Sequence, residues 1–171
     1  MNEDTVITVN EKDEVVGCME KIEAHKKGVL HRAISVFIVN RKGEWLLQQR
    51  ARSKYHSSLL WSNTCCTHPF PGESNLDAAN RRLFEEMGLS ATLIKLFSFQ
   101  YKADLDNNLI ENELDHVFMG YSDALPNINK EEVESYRYAS SNDLALEIKN
   151  SPEIFTAWFK LLFEKVLIKV K

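Results

Sequence analysis

The sequence predicts an α/β (α+β) fold in which a mixed β-sheet is sandwiched between α-helices. Strand-like segments lie on both sides of one central amphipathic segment, and two further helical segments close the chain. No internal repeat, low-complexity tract or Gly/Ser-rich linker interrupts this order. A chain of 171 residues with 44% hydrophobic content can bury one full core. We therefore expect residues 1–171 to form a single domain.

The first part of the chain is predicted to hold four strands and a short helix. Short strands are expected over 4–9 and 14–17, and one or two helical turns over 19–26. The apolar, β-branched run over 33–39 predicts a central strand. The segment 44–49 follows it after a turn, so we expect these two segments to pair as a hairpin.

The central helix is predicted to begin after Ser74. Ser74 is a good N-cap, Asp77 stands three residues later as in a capping box, and Gly88 supplies the stop. The apolar positions expected on one face of this helix are Leu76, Ala79, Leu83 and Met87.

The second part of the chain is predicted to contain three strands and two closing helices. Alternation and β-branched or aromatic content predict strands over 91–103, 109–121 and 132–139. Helices are expected over 141–149 and 152–169. The last helix should pack deeply, because its apolar positions cover more than a narrow stripe: Ile154, Phe155, Trp158, Phe159, Leu162, Val166 and Ile168.

Charge and cysteine content limit the classes of partner and compartment. The net charge of −4 gives no electrostatic reason to expect a nucleic acid or an anionic membrane as partner. The N-terminal segment lacks a basic stretch followed by an apolar one, and no run approaches the roughly 18 apolar residues of a membrane span. The odd set of Cys18, Cys65 and Cys66 is a poor basis for disulfides but normal in a reducing cytosol. We therefore expect a cytoplasmic protein.

Histidines and cysteines supply the first candidate site residues. His25 and His31 flank Gly28, which permits a turn that would bring the two imidazoles together, although such a pair is more often found at the surface. The stretch "WSNTCCTHP" places Cys65 and Cys66 near His68, and could be a metal clip, a nucleophile or part of the core. In an extended chain, Cys66 and His68 point to one side and Cys65 to the other.

Carboxylates on one predicted strand supply the second candidate. Glu111 and Glu113 would point to the same face, about 6 to 7 Å apart. Two such carboxylates repel each other unless a positive charge lies between them. The face is either exposed to solvent, which Asp115 in the same phase slightly favours, or half of a divalent-ion site. Imidazole and carboxylate together suit Zn, Mn or Fe, and five or six N/O ligands would favour Mn over tetrahedral Zn.

Charged residues on the central helix and in one basic segment supply the third candidate. Ordinary surface pairs explain the i, i+4 spacing on the helix, but such a helix could also offer carboxylates to a metal and guanidinium to a phosphate. The segment 50–54, "RARSK", is either a solvated loop or a diphosphate-binding patch. The charged helical residues are Arg81, Arg82, Glu85 and Glu86.

Together these spacings resemble the Nudix family. Its motif runs Gly, five residues, Glu, seven residues, then Arg-Glu-apolar-x-Glu-Glu-x-Gly-apolar. Here Glu73 is followed, after seven residues, by "RRLFEEMGL", with Thr67 in place of the first glycine and Arg82 in place of the first glutamate of the Arg-Glu pair. Hydrolases of the family use that glutamate to hold the metals that activate water. The resemblance with this departure argues against pyrophosphate hydrolysis.

The same departures are found in the type 1 isopentenyl-diphosphate delta-isomerases, a Nudix-fold family. The resemblance runs from about Lys21 to Trp158 and includes "HKKGVLHRAISVF", "WSNTCCTHP", "GESNLDAANRRLFEEMG" and "IENEL". It implies a Nudix-type sheet and helices, and conversion of isopentenyl to dimethylallyl diphosphate. It also implies a small-molecule prenyl diphosphate as partner, with the protein acting as a monomer or weak homodimer.

The resemblance also implies roles for individual residues. Mn or Mg, with Zn possible, would be held by His25, His31, His68, Glu111 and Glu113. Glu86 would serve a Mg ion that also touches the diphosphate. The phosphates would be gripped by Lys21, Arg50, Lys54 and Arg82. For proton transfer, Cys66 would act on one side of the substrate and Tyr101 with Glu113 on the other, while Trp158 faces the hydrocarbon.

Two alternatives stay open on the sequence. The first is a Nudix hydrolase acting on a nucleoside diphosphate derivative, which would release phosphate or nucleotide products. The second is a binding module with a structural Zn site, which would leave Glu111, Glu113 and the charged helix unexplained. Its ligands would be His25, His31, Cys65, Cys66 and His68.

Overall fold

The computed structural model describes residues 4–170, and the strands in that range form one mixed sheet flanked by helices. The predicted fold class is confirmed. The helices are α1 (Lys21–Lys27), α2 (Asn75–Met87), α3 (Ser141–Asn150) and α4 (Ala157–Val170). The strands are β1 (Thr5–Val9), β2 (Val15–Glu20), β3 (His31–Val39), β4 (Trp45–Arg50), β5 (Trp61–Ser62), β6 (Cys65–Thr67), β7 (Ile94–Asp104), β8 (Ile110–Tyr121) and β9 (Val133–Ala139).

Strand β3 is the centre of the sheet, as its apolar run predicts. It pairs in parallel with β8 from His31 opposite Glu113 to the ends of both strands, and antiparallel with β1, β4 and β6. The predicted hairpin with β4 forms only at two residue pairs, Ile38 with Leu46 and Val39 with Trp45. Beyond these pairs the two strands take other partners, because β3 pairs with β6 and β4 pairs with β5.

Alternation along β3 divides the core into two layers. Ile34, Val36 and Ile38 pack in a cluster with the buried face of α2. Phe37 points the other way and packs in a cluster with Phe159 and other residues of α4. The second layer borders the candidate site, because the same face of the sheet carries His31 and Ser35.

Helix α2 begins and ends where its caps predict. Ser74 Oγ accepts a hydrogen bond from the Asp77 N–H at 3.1 Å, and Gly88 closes the helix in the left-handed conformation with φ 62°. Ala79, Leu83 and Met87 are buried as predicted, but the expectation for Leu76 is wrong because its side chain is 43% exposed. Leu76 lies in the first turn, at the N-terminal end of α2, whereas the buried residues of the helix begin at Ala78.

The C-terminal helix starts later than its hydrophobic pattern predicts. Residues Pro152–Ile154 form a 3-10 turn, and Thr156 donates a backbone hydrogen bond to Trp61 O at 2.9 Å before α4 begins. Phe155 is buried beside this contact, whereas Ile154 and Ile168 are exposed against expectation. The other predicted positions of α4 are buried, which confirms its deep packing. No helix within residues 4–170 is long and apolar enough to span a membrane.

Candidate active site

A cavity of about 360 Å³ brings together most of the predicted site residues. His25 and His31 lie beside His68, which lines the cavity, with ring centres 5.7 and 5.0 Å from that of His68. The predicted residues that line the cavity are Lys21, Arg50, Lys54, Cys66, His68, Arg82, Glu86, Tyr101, Glu111, Glu113 and Trp158.

Two histidines are placed by the turn between α1 and β3. Gly28 takes the left-handed conformation, with φ 61°, at the end of α1, which turns the chain back so that His31 begins β3 beside His25. The Nδ1 atoms of both rings contact backbone carbonyls, that of Lys21 at 2.7 Å and that of Val29 at 2.8 Å. If each Nδ1 donates its proton there, both Nε2 atoms carry lone pairs suited to a metal.

Glu113 completes a four-donor group with the histidines. Its Oε1 lies 3.0 Å from His68 Nε2 and 3.5 Å from His31 Nε2. The donor atoms of His25, His31, His68 and Glu113 lie within 4.8 Å of one another. Within residues 4–170, the buried Nε2 atoms of His25 and His31 have no hydrogen-bond partner. Three imidazoles and one carboxylate with such orphaned nitrogens fit a divalent ion such as Zn, Mn or Fe.

Glu111 lies outside this group, although the resemblance places it among the same ligands. It forms a second group with His25 and His56, whose donor atoms also lie within 4.8 Å of one another. His56 Nε2 is 3.9 Å from Glu111 Oε1, and burial followed by the charge of Arg50 lowers the pKa of His56 to about 2. No motif predicted His56, because its inward position depends on a loop in which Ser57 adopts a positive φ of 50°.

The two strand carboxylates share one tyrosine. Glu111 and Glu113 point to the same face of β8, as the alternation predicts, and Tyr101 stands opposite Glu113 on β7. The Tyr101 hydroxyl lies 2.5 Å from Glu113 Oε2 and 3.0 Å from Glu111 Oε2. The solvent-exposed alternative is wrong, because Glu111, Glu113 and Asp115 are all buried. Strand β8 is interior to the sheet, between β3 and β7.

Burial separates the protonation behaviour of the two carboxylates. Burial and the nearby Glu113 charge raise the pKa of Glu111 well above its usual range. Burial alone would raise the pKa of Glu113 too, but His31 and His68 facing it hold that pKa well below its usual range. The three buried groups Tyr101, Glu111 and Glu113 therefore hold a proton on Glu111 and a negative charge on Glu113.

The two neighbouring cysteines occupy different environments. Cys65 is fully buried in the core layer beneath α2, whereas Cys66 lines the cavity. Neither belongs to the metal-competent groups found among residues 4–170, which argues against a structural site using both thiols. Burial, followed by the charge of Asp115, raises the pKa of the Cys66 thiol, so Cys66 is protonated near neutrality.

Four cations converge on the other side of the cavity. Burial and the charges of Lys54 and Arg82 lower the pKa of Lys21. Lys54 and Arg82 both contact one carboxylate oxygen of Glu132, and the Arg50 guanidinium lies 5.2 Å from the ring centre of Trp158. Cations crowded in this way repel one another unless an anion lies among them. The basic segment is therefore not a plain solvated loop, although its Arg52 is exposed.

The two arginines of α2 have different surroundings. Arg81 bonds to Glu73 at 2.7 and 2.9 Å and lies over the Phe70 ring, which joins the helix to the preceding loop. Both arginines line the cavity, but Arg82 bonds to Glu86 at 2.7 Å. Glu86 also accepts a hydrogen bond from Gln48 at 2.5 Å and belongs to neither histidine group. The sequence did not single out Gln48 or Glu132.

Sequence comparisons relate this chain to a known protein family. Residues 29–159 match the NUDIX domain family. The chain is 54% identical over 161 residues to an isopentenyl-diphosphate Delta-isomerase of Pectobacterium atrosepticum, covering 94% of this chain and 90% of that protein. It is 44% identical over 165 residues to isopentenyl-diphosphate Delta-isomerase 2 of Aromatoleum aromaticum, covering 96% and 87%.

Solved structures with the same fold are more distant in sequence. Protein DR0079 of Deinococcus radiodurans superposes with a TM-score of 0.79 at 20% identity, covering 94% of this chain and 98% of that one. A MutT protein of Methanosarcina mazei gives a TM-score of 0.68 at 20% identity, covering 83% and 96%. At this identity the likeness concerns the fold alone.

Proposed function

The chain belongs to the isopentenyl-diphosphate Delta-isomerases of the Nudix family, which interconvert isopentenyl and dimethylallyl diphosphate, and we propose that Cys66 and the Tyr101–Glu113 pair perform its two proton transfers. The observation that carries this proposal is the placement of these groups around one cavity. Cys66 is on β6 and Glu113 on β8, and these strands lie on opposite sides of β3.

The reaction requires two proton-transfer groups. An unactivated alkene is a weak base, so its protonation creates a tertiary carbocation, and a second group must remove a proton from the adjacent carbon. An acid and a base on opposite sides of the substrate meet this requirement. Because the reaction is reversible, each group acts in both directions.

Tyr101 and Glu113 are the proposed protonating side. The Tyr101 hydroxyl is 2.5 Å from Glu113, and Glu111, whose pKa is raised by burial and by Glu113, holds a further proton 3.0 Å away. A proton given by the phenol to the alkene is replaced along these short contacts. The buried triad thus combines a donor with a nearby proton reserve.

Cys66 is the proposed group on the second side. In the free protein it is a thiol, the form that donates a proton when dimethylallyl diphosphate is converted to isopentenyl diphosphate. The opposite direction starts from the thiolate, which accepts the proton from carbon. Each turnover interchanges the protonation states of the two sides, so the enzyme returns to its starting form by exchange with solvent or by reversal.

Trp158 is proposed to stabilise the cation and keep water out. Its indole lines the cavity and is 3% exposed. A cation against a desolvated indole face gains about 2 kcal/mol. Exclusion of water matters because water would trap the carbocation as an alcohol.

The metal is proposed to be Mn or Mg, with Zn possible, held by His25, His31, His68 and Glu113. Bound there, it would supply positive charge that keeps Glu113 ionised and fixes the orientation of its carboxylate. Glu111 lies beside this group, where its donor atom is within 4.8 Å of those of His25 and His56. Glu86 is proposed to serve a Mg ion that accompanies the diphosphate.

The diphosphate is proposed to lie among the four cations. Arg forks and Lys point charges match the oxygens of a diphosphate. Lys54 and Arg82 now share Glu132, so a diphosphate would compete with that carboxylate for them. The presence of Arg82 where Nudix hydrolases have a glutamate supports binding without hydrolysis. The four cations are Lys21, Arg50, Lys54 and Arg82.

An NMR assay with isopentenyl diphosphate in deuterated water tests the proposed function. We expect dimethylallyl diphosphate to appear with deuterium incorporated and without free phosphate, and a chelator to abolish the signals. Readdition of Mn or Mg should restore them. Release of phosphate from a nucleoside diphosphate derivative, without prenyl isomerisation, would instead support a Nudix hydrolase.

Elemental analysis of the purified protein tests the metal site separately. We expect His31→Gln to lower the content of tightly bound divalent metal while the far-UV circular dichroism stays unchanged. X-ray absorption should show nitrogen and oxygen neighbours only. A sulfur neighbour at about 2.3 Å would show that a thiolate binds the ion and would contradict the proposed ligand set.

A further inference from the structure

Asp115 is a buried carboxyl that the proposed mechanism does not use. It is 1% exposed, and its Oδ1 has no hydrogen-bond partner within residues 4–170. Its Oδ2 accepts a hydrogen bond from the Ser35 hydroxyl at 2.7 Å. Burial of a carboxyl destabilises a fold unless the group is well paired, so a half-satisfied one calls for an explanation.

Ser35 connects this carboxyl to Cys66. The two residues stand directly opposite each other in the antiparallel pair of β3 and β6, so their side chains share one face of the sheet. Ser35 Oγ lies 3.6 Å from Cys66 Sγ. Asp115 reaches the same hydroxyl from β8, the strand on the other side of β3. The row of Cys66, Ser35 and Asp115 is thus set by three adjacent strands.

The hydrogen bonds of Ser35 and Asn63 determine which of their polar atoms face the Cys66 sulfur. Ser35 gives its only hydroxyl proton to Asp115, so it presents a lone pair to the sulfur. Asn63 flanks the sulfur on another side, and its amide nitrogen donates to Val36 O at 3.1 Å and Cys65 O at 2.9 Å. The Asn63 amide also lies against the sulfur, with Nδ2 at 3.2 Å and Oδ1 at 3.3 Å from Cys66 Sγ.

The Ser35 hydroxyl and the Asn63 amide therefore define where the Cys66 side chain can lie. Asn63 is anchored by the backbone of two strands, whereas Ser35 can rotate about χ1 and depends on Asp115 to hold its hydroxyl in place. Proton transfer between sulfur and carbon is sensitive to such placement, since a shift of about 1 Å can lower a rate about 100-fold.

We propose that Ser35, held by Asp115, is a positioning residue that orients the Cys66 sulfur toward the substrate. The proposal rests on the proposed role of Cys66 and adds two residues behind it. Neither residue needs to contact the reacting carbons. Asp115 acts as a hydrogen-bond acceptor for Ser35, and an amide oxygen in the same place can perform that function.

The test compares Ser35→Ala, Ser35→Thr and Asp115→Asn with the unmodified enzyme carrying its metal. Removal of the hydroxyl in Ser35→Ala should lower kcat about 10- to 100-fold with KM unchanged. Ser35→Thr keeps the hydroxyl and should recover most of kcat. Asp115→Asn keeps an acceptor and should lower kcat less than Ser35→Ala does. Bound metal and melting temperature are measured for each variant.

Thr64→Val is the matched control for loss of a buried hydroxyl. Thr64 Oγ1 donates to Leu46 O and accepts from Ile38 N, away from the cavity. This variant should melt at a lower temperature with kcat unchanged. The proposal is overturned if Ser35→Ala keeps its kcat, if folded Ser35→Thr is as slow as Ser35→Ala, or if Asp115→Asn is as slow as Ser35→Ala.

Failure of the proposed role of Cys66 gives a different result. If Cys66→Ala remained active, the proton-transfer assignment itself would be wrong, whatever the Ser35 variants did. If Cys66→Ala is inactive and Ser35→Ala is normal, only the positioning role fails. Alkylation of Cys66 by iodoacetamide, followed by mass spectrometry, adds a reading independent of turnover. The rate of alkylation in Ser35→Ala should differ from the rate in the unmodified protein. The rate in Ser35→Thr should match that of the unmodified protein.

Discussion

Cys65 and Cys66 are adjacent in the chain, yet their sulfur atoms lie on opposite faces of the sheet. Cys65 is fully buried beneath α2, and Cys66 lines the cavity between Ser35 and Asn63. The short strand β6 produces this separation, because successive side chains of a strand alternate between its faces. A shift of one residue along β6 therefore separates Cys65 in the core from Cys66 in the cavity.

The cysteine pair gives the first prediction. Cys66→Ala should abolish turnover with metal content intact, because the proton-transfer group is lost and the histidine cluster is not. Cys65→Ala should keep most of kcat and lose about 1 kcal/mol of stability for the buried group removed. Steady-state kinetics and urea unfolding measure both effects. The reverse pattern would mean that β6 is shifted by one residue.

The two neighbouring arginines of α2 give the second prediction. Arg82→Gln should raise KM for isopentenyl diphosphate about tenfold or more, because a charge-assisted contact to phosphate is worth about 1.5–3 kcal/mol. Arg81→Gln is the matched control, since Arg81 also lines the cavity but its guanidinium is bonded to Glu73 and lies over the Phe70 ring. It should lower the melting temperature and leave KM unchanged. An unchanged KM in Arg82→Gln would remove the explanation for this arginine.

The pair of Glu73 and Arg81 gives a prediction on pH. Partial burial alone would raise the pKa of Glu73, but hydrogen bonds from Arg81 and the Phe70 N–H lower it below its ordinary value of 4.5. The pair therefore contributes its stability above pH 4.5 and loses it as the pH falls below that value. The difference in free energy of unfolding between the unmodified protein and Glu73→Gln should shrink from pH 6 toward pH 3. A difference independent of pH would contradict this.

Two left-handed glycines give the fourth prediction. A Cβ on Gly88, at φ +62°, would lie 2.6 Å from the backbone oxygen of Asn127, whereas one on Gly43, at φ +77°, would meet no atom within 4 Å in the described part of the chain. Gly43→Ala should cost only the left-handed conformation, about 1–2 kcal/mol. Gly88→Ala should cost a further 1–3 kcal/mol or so from the clash. Urea unfolding of both variants checks the difference, and equal losses would rule out the clash.

Local rules predicted much of the fold and part of the site. Ser74 and Gly88 bound α2 because the first satisfies free N–H groups and the second tolerates the left-handed conformation. Alternation correctly placed Glu111 and Glu113 on one face. The same rule does not show whether that face is buried. The position of Asp115 slightly favoured a solvent-exposed face, and this prediction was wrong.

The sequence by itself determined the order of elements, the strand faces and the resemblance that points to the isomerase family, because these depend on residue types and their spacing. The tertiary structure decided which residues meet. It joined His68 to His25 and His31, divided the two glutamates between different histidine groups, and brought in His56. These contacts join residues far apart in the chain, and the packing of β8 between β3 and β7 creates the burial that shifts their pKa values. Periodicity describes one segment at a time and carries no information about such neighbours.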